Sequence, residues 1–490
     1  MKNINLLSAL IFIMLASPIA AQTVAKVIRQ EPYRPQYHYS PIDGWIGDPC
    51  GLIYYQDQYH LYTFGRGKAV SKDLVHYQQT ADNVLTGDDG TISYFTGSVA
   101  IDKINSTGFG KNAWIAVYTI FTKISENQSQ GISYSTDGNS FQYYKDNPVI
   151  DLQSKEFRDP TIFWYKPTSK WIMVVAKAKE KKVKFYESTN LKEWVWLSDF
   201  GPAGAQDKVW ECPDLFQLNI DGNPNNTKWV MVVSIDWARE QYFIGDFDGK
   251  SFKVDDEKYP LYVDKGLDYY ASRVFRDYDN TLKKTPSLGW IATWDYALSV
   301  PSSWGKGFWS IPRDLELKTY PEGLRMIQKP EENLKDLRVS PVIFSQKLQK
   351  GTHKLPQFMP KENVYELDVV FSTKKPNVFG FNLCVGEGRK VSISYNTQND
   401  LLEIDRTNCS NVFIEKFARK TSAKVSSENG KLRMHIFVDK SSVELFINQG
   451  KDVFTLLTYP SETQTGIEVF SKENGTRMNF SAWTLKSVWR

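Results

Sequence analysis

A turn signature recurs four times in the first half of this chain. Residues 71–77, 135–141, 188–194 and 247–252 each place an Asp or Asn four positions ahead of an aromatic ring. The acidic or amide positions, 73, 137, 190 and 248, stand 64, 53 and 58 residues apart. Asp and Asn favour tight turns because their side chains bond the backbone just beyond them, so each copy predicts a hairpin turn between strands. Amphipathic helical periodicity is scarce, whereas short β-branched and aromatic runs split by Gly, Asn, Asp and Pro read as all-β. Repeats of this size, each holding several short strands, predict propeller blades.

A second repeat interleaves with the first. Strand starts at 48–53, 97–100, 159–163, 213–216 and 270–274 lead into partners at 59–62, 114–118, 171–175, 229–233 and 290–294. Five inner pairs predict a five-bladed β-propeller over 33–335. Residues 336–363, rich in Pro, Lys and Glu, are expected to form a linker. Alternating strands over 364–490 then predict a C-terminal β-sandwich. No acid/base constellation falls in that sandwich, so its expected role is to stabilise the propeller.

Aromatics make up 14% of the chain and apolar residues 41%, enough to build a core and to exclude a disordered protein. With 60 Lys plus Arg against 56 Asp plus Glu, the net charge of +4 is too small for a nucleic-acid or anionic-membrane surface. Lys2, an apolar run over 4–15 and small residues before Gln22 have the layout of a signal peptide over 1–21. The mature protein is therefore expected to be exported, periplasmic or secreted, with no transmembrane segment after cleavage. Cys50, Cys212, Cys384 and Cys409 are too few and scattered for a disulfide scaffold, and with five His they give zinc little support. Asn-x-Ser/Thr triplets at Asn105, Asn127, Asn225, Asn408, Asn474 and Asn479 read as chance in an Asn-rich chain.

In a propeller the first strand of each blade lines the central channel, so residues at one end of those strands converge. Three starts carry carboxylates there: Asp48 before Pro49, Asp159 before Pro160, and Glu211 before Cys212-Pro213. Trp45, Phe95, Trp210 and Trp294 occupy comparable positions. Carboxylates accept sugar hydroxyls and aromatic faces pack on apolar sugar faces, so the set suggests carbohydrate chemistry. Glycoside cleavage needs one protonated and one ionised carboxyl, which burial and mutual repulsion can produce. Taken singly, an Asp-Pro pair reads as a turn former; three at matched positions favour a site. No metal or cofactor is expected, although calcium on the same oxygens is the alternative.

The motifs resemble glycoside hydrolase family 32, the invertases, levanases and inulinases. The carriers are Trp45-Ile46-Gly47-Asp48-Pro49-Cys50-Gly51, Phe95-Thr96-Gly97-Ser98, Phe157-Arg158-Asp159-Pro160 and Trp210-Glu211-Cys212-Pro213-Asp214. Others are Asp268-Tyr269-Tyr270-Ala271, Trp309-Ser310-Ile311-Pro312-Arg313 and the stretch 435–444. The resemblance implies a propeller plus sandwich and a retaining, two-step cleavage of β-fructofuranosides in levan, inulin or sucrose. It implies Asp48 as nucleophile, Glu211 as acid/base and Asp159 as transition-state stabiliser. Trp45, Phe95, Ser98, Arg158 and Trp294 would bind the sugar, the expected partner being a fructan or smaller saccharide. Retention requires the Asp48 and Glu211 carboxyls to stand roughly 5–5.5 Å apart.

The chain departs from the family pattern beside the nucleophile. Gly47 and Cys50 stand where the family usually has Asn, and the segment 61–70 lacks the usual Gln and Trp-Gly-His. Arg66 or Lys68 are the expected replacements for those contacts. Cys50 and Cys212 are expected to be free thiols, Cys212 acting by packing. Two further readings stay open: an inverting arabinofuranosidase-like propeller hydrolase, in which Asp48 is a base, and a non-catalytic fructan-binding protein.

Overall fold

The computed structural model describes residues 29–489 apart from 65–66, 256–258 and 412. The signal segment 1–21 and Arg66 lie outside the described residues.

The turn repeat has a local cause. Ser71 Oγ accepts the N–H groups of Asp73 and Leu74, while Asp73 Oδ1 accepts those of Val75 and His76. The same bonds form at Ser135 with Asp137 and at Ser188 with Asn190. Asp248 takes the N–H groups of Lys250 and Ser251. In each copy the residue after the Asp or Asn has a positive φ: Leu74 63°, Gly138 71°, Leu191 61° and Gly249 92°. The aromatic four positions on reports back to the turn where it has a donor. Tyr77 Oη bonds Leu74 O at 2.6 Å and Trp194 Nε1 bonds Leu191 O at 3.1 Å.

Each turn joins the third and fourth strands of an antiparallel sheet. The first sheet runs Gly51–Tyr55, Gln58–Thr63, Gly67–Ser71 and Tyr77–Ala81. The second is built on Ile92–Asp102, Ala113–Thr122 and Asn127–Ser135, the third on Phe157–Tyr165, Lys170–Lys177, Lys182–Ser188 and Val195–Phe200. The fourth starts at Trp210–Ile220 and shares a sheet with Tyr270–Val274, Pro286–Trp290, Arg313–Tyr320 and Gly323–Pro330. First strands touch in a closed circle: Gly51–Tyr55, Ile92–Asp102, Phe157–Tyr165, Trp210–Ile220, Tyr270–Val274 and back to Gly51–Tyr55. Between sheets the core is shared, as where Ile115 and Val117 pack with Ile162 and Met173. The all-β expectation of a propeller followed by a sandwich holds.

Four of the five circle strands slip register near their starts, between Tyr94 and Gly97, Arg158 and Thr161, Glu211 and Asp214, and Tyr270 and Arg273. Pro160 and Pro213 fall inside two of these slips. Proline has no N–H for the ladder and is tolerated in strands at such irregularities. A slip re-aims side chains locally, and here it turns one end of the circle into a site.

The sandwich packs two six-stranded sheets over one core that includes Leu367, Phe381, Ile393 and Leu445. The segment 336–363, expected as a linker, instead supplies an edge strand to each sheet. Arg338–Lys347 pairs with Arg477–Leu485, and Gly351–Lys354 with Gly466–Ser471. Its Lys and Pro content is that of an exposed edge, with Pro341 inside a register slip.

Candidate active site

The three sequence-selected carboxylates meet at the slipped end of the circle, in a cleft of about 500 Å³. Asp48 precedes Gly51–Tyr55, Asp159 lies in the slip of Phe157–Tyr165, and Glu211 opens the slip of Trp210–Ile220. The backbone there is strained: Asp159 has φ 66°, Cys212 50° and Ala271 54°. Left-handed conformations at such residues cost of order 1–3 kcal/mol each and persist where the surroundings enforce them.

Each carboxylate has a different set of partners. Thr96 Oγ1 donates to Asp48 Oδ2 at 2.7 Å, while Asp48 Oδ1 is buried with no hydrogen-bond partner among the described residues. Glu211 Oε1 accepts Arg158 Nε at 2.9 Å, and its Oε2 accepts the hydroxyl of Tyr270. Asp159 Oδ2 accepts the Cys212 N–H at 3.0 Å. The Cys212 sulfur lies 3.6 Å from both Asp48 Oδ2 and Asp159 Oδ2, so it spaces the two carboxylates.

Burial pushes the Asp48 carboxyl up to about 6; the Thr96 bond opposes this and the Glu211 charge adds to it. Asp159 is pushed up to about 7 by burial and by Glu211, against the pull of Arg158. Burial works against the charge on Arg158, but Glu211, Asp159 and Glu156 more than restore it. Burial raises the Cys50 thiol to about 12 and Cys212 well above the ordinary range, so both sulfurs are neutral. All four cysteines are unpaired. Among the described residues no group of three His, Cys, Asp or Glu side chains is arranged to hold a metal ion.

Trp45, Phe95, Arg158 and Trp294 line the cleft as expected. Trp45 packs 5.7 Å from Trp294, and Phe95 stacks on Phe121 at 4.8 Å. Trp294 comes from a loop rather than a strand: Pro286–Trp290 ends before it, and its N–H bonds Trp237 O at 3.1 Å. Ser98 is not in the cleft. It lies past the slip in the regular ladder, where it is buried and accepts the Ile162 N–H at 3.1 Å. Lys68 also points elsewhere, with Nζ 3.0 Å from Asn139 Oδ1 and over the Trp114 ring. Thr63 and Phe64 fill that side of the cleft, and Gly47 leaves room beside the Trp45 indole.

Four polar residues of the site went unassigned by sequence reasoning. Thr96 and Tyr270 lie within motifs that were noted without a role. Gln128 and Glu156 carried no signal; both accept from Arg158 Nη1, at 3.1 and 2.8 Å. An unpaired carboxylate oxygen beside a second carboxyl held between a guanidinium and a phenol can combine attack on carbon with proton transfer.

Two family models match the chain: the glycosyl hydrolases family 32 N-terminal domain over 38–330 and the family 32 C-terminal domain over 333–485. A levanase of Bacillus subtilis is 36% identical over 97% of this chain and 74% of its own length. An extracellular exo-inulinase of Aspergillus niger is 31% identical over 94% of this chain and 96% of its own. The crystal structure of the exo-inulinase from Aspergillus awamori superposes with a TM-score of 0.86 at 30% identity, covering 94% of this chain and all of that one.

Proposed function

Because the chain belongs to glycosyl hydrolase family 32, we propose that it hydrolyses β-fructofuranosidic bonds of levan, inulin or sucrose, with Asp48 as nucleophile and Glu211 as acid/base. It is a glycosidase of the β-fructofuranosidase type. The single observation that carries the assignment is the unpaired, buried Oδ1 of Asp48. A buried carboxylate oxygen without a partner is costly, and a sugar carbon bonding to it would relieve that cost.

The first step transfers the proton of Glu211 to the leaving oxygen as Asp48 Oδ1 attacks the anomeric C2 of the fructosyl unit. The C2–O bond breaks, and a fructosyl ester of Asp48 forms. Asp159 accepts fructosyl hydroxyls and, with Arg158, fixes the ring. In the second step Glu211 takes a proton from water, whose oxygen attacks C2 and releases Asp48. Trp45, Phe95 and Trp294 pack on the apolar sugar faces. The neutral thiol of Cys50 lines this pocket without an amide's donors.

Export is supported by the signal layout of 1–21 and by the extracellular exo-inulinase among the relatives. No described helix is long and apolar enough to cross a membrane. The arabinofuranosidase-like and binding-only readings are not favoured beside relatives named as fructan hydrolases. The test is release of fructose from levan, inulin and sucrose by wild type, Asp48→Asn and Glu211→Gln. Turnover lost in both variants supports the assignment. Equal turnover in the variants assigns the chemistry to other residues.

A further inference from the structure

Residues 263–268 of the propeller run beside Asp452–Leu457, the last strand of its sandwich sheet. Lys265 N–H donates to Val453 O at 2.7 Å, and the N–H groups of Leu267 and Asp268 donate to Thr455 O at 3.0 and 3.2 Å. In return, Thr455 N–H donates to Asp264 Oδ1 and Leu457 N–H to Asp268 Oδ2, both at 2.9 Å. The propeller segment thus covers an otherwise open sheet edge. Gly266 permits the approach: a Cβ there would meet Thr455 O at 2.1 Å.

Both ends of the segment are clamped by buried groups. Asp264 Oδ2 takes Arg313 at 3.1 Å and Thr455 Oγ1 at 2.7 Å. Asp268 takes Arg406 and the Tyr296 hydroxyl, all three side chains being fully buried or nearly so. From the other sandwich sheet Thr421 Oγ1 donates to Lys265 O at 2.8 Å. Two residues after Asp268, the Tyr270 hydroxyl donates to Oε2 of Glu211.

We infer that the sandwich is a working part of the catalytic centre: its Asp452–Leu457 edge sets the position of Tyr270 and, through it, the proton-transferring carboxyl of Glu211. A buried ion pair such as Arg406–Asp268 adds little net stability over apolar packing; here it fixes the segment from which Tyr270 projects. Tyr270, Asp268 and Arg406 are positioning residues. The inference rests on the assignment of Glu211 above.

Gly266→Ala pries the segment from the edge without removing any charge. A displacement on the ångström scale near a reacting group costs up to about a hundredfold in rate, so kcat on levan or sucrose should fall between about ten- and a hundredfold, with KM little changed. Tyr270→Phe should give the same signature, and Gly266→Ala/Tyr270→Phe should be no slower than Tyr270→Phe alone. Thr421→Val, which removes only the bond to Lys265 O, should show a weaker form and serves if Gly266→Ala fails to fold. Losses that multiply in the double variant, or a lowered Tm with kcat unchanged, overturn the inference. A crystal structure of the variant decides independently of turnover: Tyr270 and Glu211 should be out of hydrogen-bond reach, and an unchanged contact refutes the coupling. A wild-type protein inactive on every fructoside would fail the functional assignment alone.

Discussion

Thr96 Oγ1 holds Oδ2 of Asp48 at 2.7 Å and leaves Oδ1 of the same carboxyl unpaired. One hydroxyl therefore both orients the proposed nucleophile and favours its charged form. Hydrogen bonds to charged groups contribute about 1.5–3 kcal/mol, so Thr96→Val should lower kcat/KM by roughly ten- to a hundredfold. The acid limb of its pH profile should move up, because a group that stabilises the anion is lost. An unmoved acid limb would remove Thr96 from this role.

The pH optimum should lie well above the ordinary carboxylate range. Asp48 gains its charge only near 6, burial being the main cause, so kcat/KM should rise through that pH. Asp159, pushed to about 7 beside Glu211, marks where the carboxyl cluster gives up a further proton. The profile is expected to be bell-shaped, with its maximum between about 6 and 7. A maximum near pH 4 would contradict the desolvated cluster.

The same burial costs stability. A carboxyl raised from 3.8 to about 6 in the folded state favours the neutral form. Its contribution is intact below pH 3.8 and is lost as pH rises through about 6. Asp48→Asn removes that charge, so the variant should be more stable than wild type at pH 8, by at most about 3 kcal/mol. The difference should vanish near pH 4. Thermal melts at the two pH values decide it, and a variant less stable at pH 8 would be the contrary result.

His38 ties the propeller to the sandwich. Its Nδ1 lies 2.8 Å from Asp439 and its Nε2 2.8 Å from Glu444, both buried, so both nitrogens donate and the ring is charged. Burial opposes that charge, but the two carboxylates raise the imidazole from 6.5 to about 9. The stabilisation is full below pH 6.5 and is lost as pH rises through about 9. At pH 6, His38→Gln should cost about 3–5 kcal/mol, the range for breaking a buried charge pair. Denaturant melts should show that cost shrinking above pH 9, and a cost constant from about pH 6 to 10 would contradict an imidazole that loses its proton near 9.

With four unpaired, buried cysteines, the native protein should resist a thiol reagent. Unfolded without reductant, it should titrate four thiols, and two missing thiols would reveal a bridge.

What the sequence disclosed was local chemistry. The Ser71–Asp73 turn and its copies depend on bonds within three residues, so the repeat announced itself. Asp159 and Glu211 stood out because Pro160 and Pro213 mark the slips that aim them. Arg338–Lys347 was misread as linker because an exposed edge strand and a linker share a Lys- and Pro-containing composition. Ser98 was misassigned because its facing past the slip is set by pairing with Ala113–Thr122, and Lys68 because its ammonium is drawn to Asn139, 71 residues away. The Tyr270–Glu211 bond spans 59 residues and the 264–268 pairing with the sandwich nearly 190, separations no local pattern encodes.

The stereochemistry of transfer to methanol tests the central claim most directly. An Asp48 fructosyl ester is formed with inversion and opened with inversion, so net configuration is kept. Early NMR spectra of sucrose or levan turned over in aqueous methanol should show methyl β-D-fructofuranoside and none of the α anomer. The α anomer as the first product would contradict an Asp48 nucleophile.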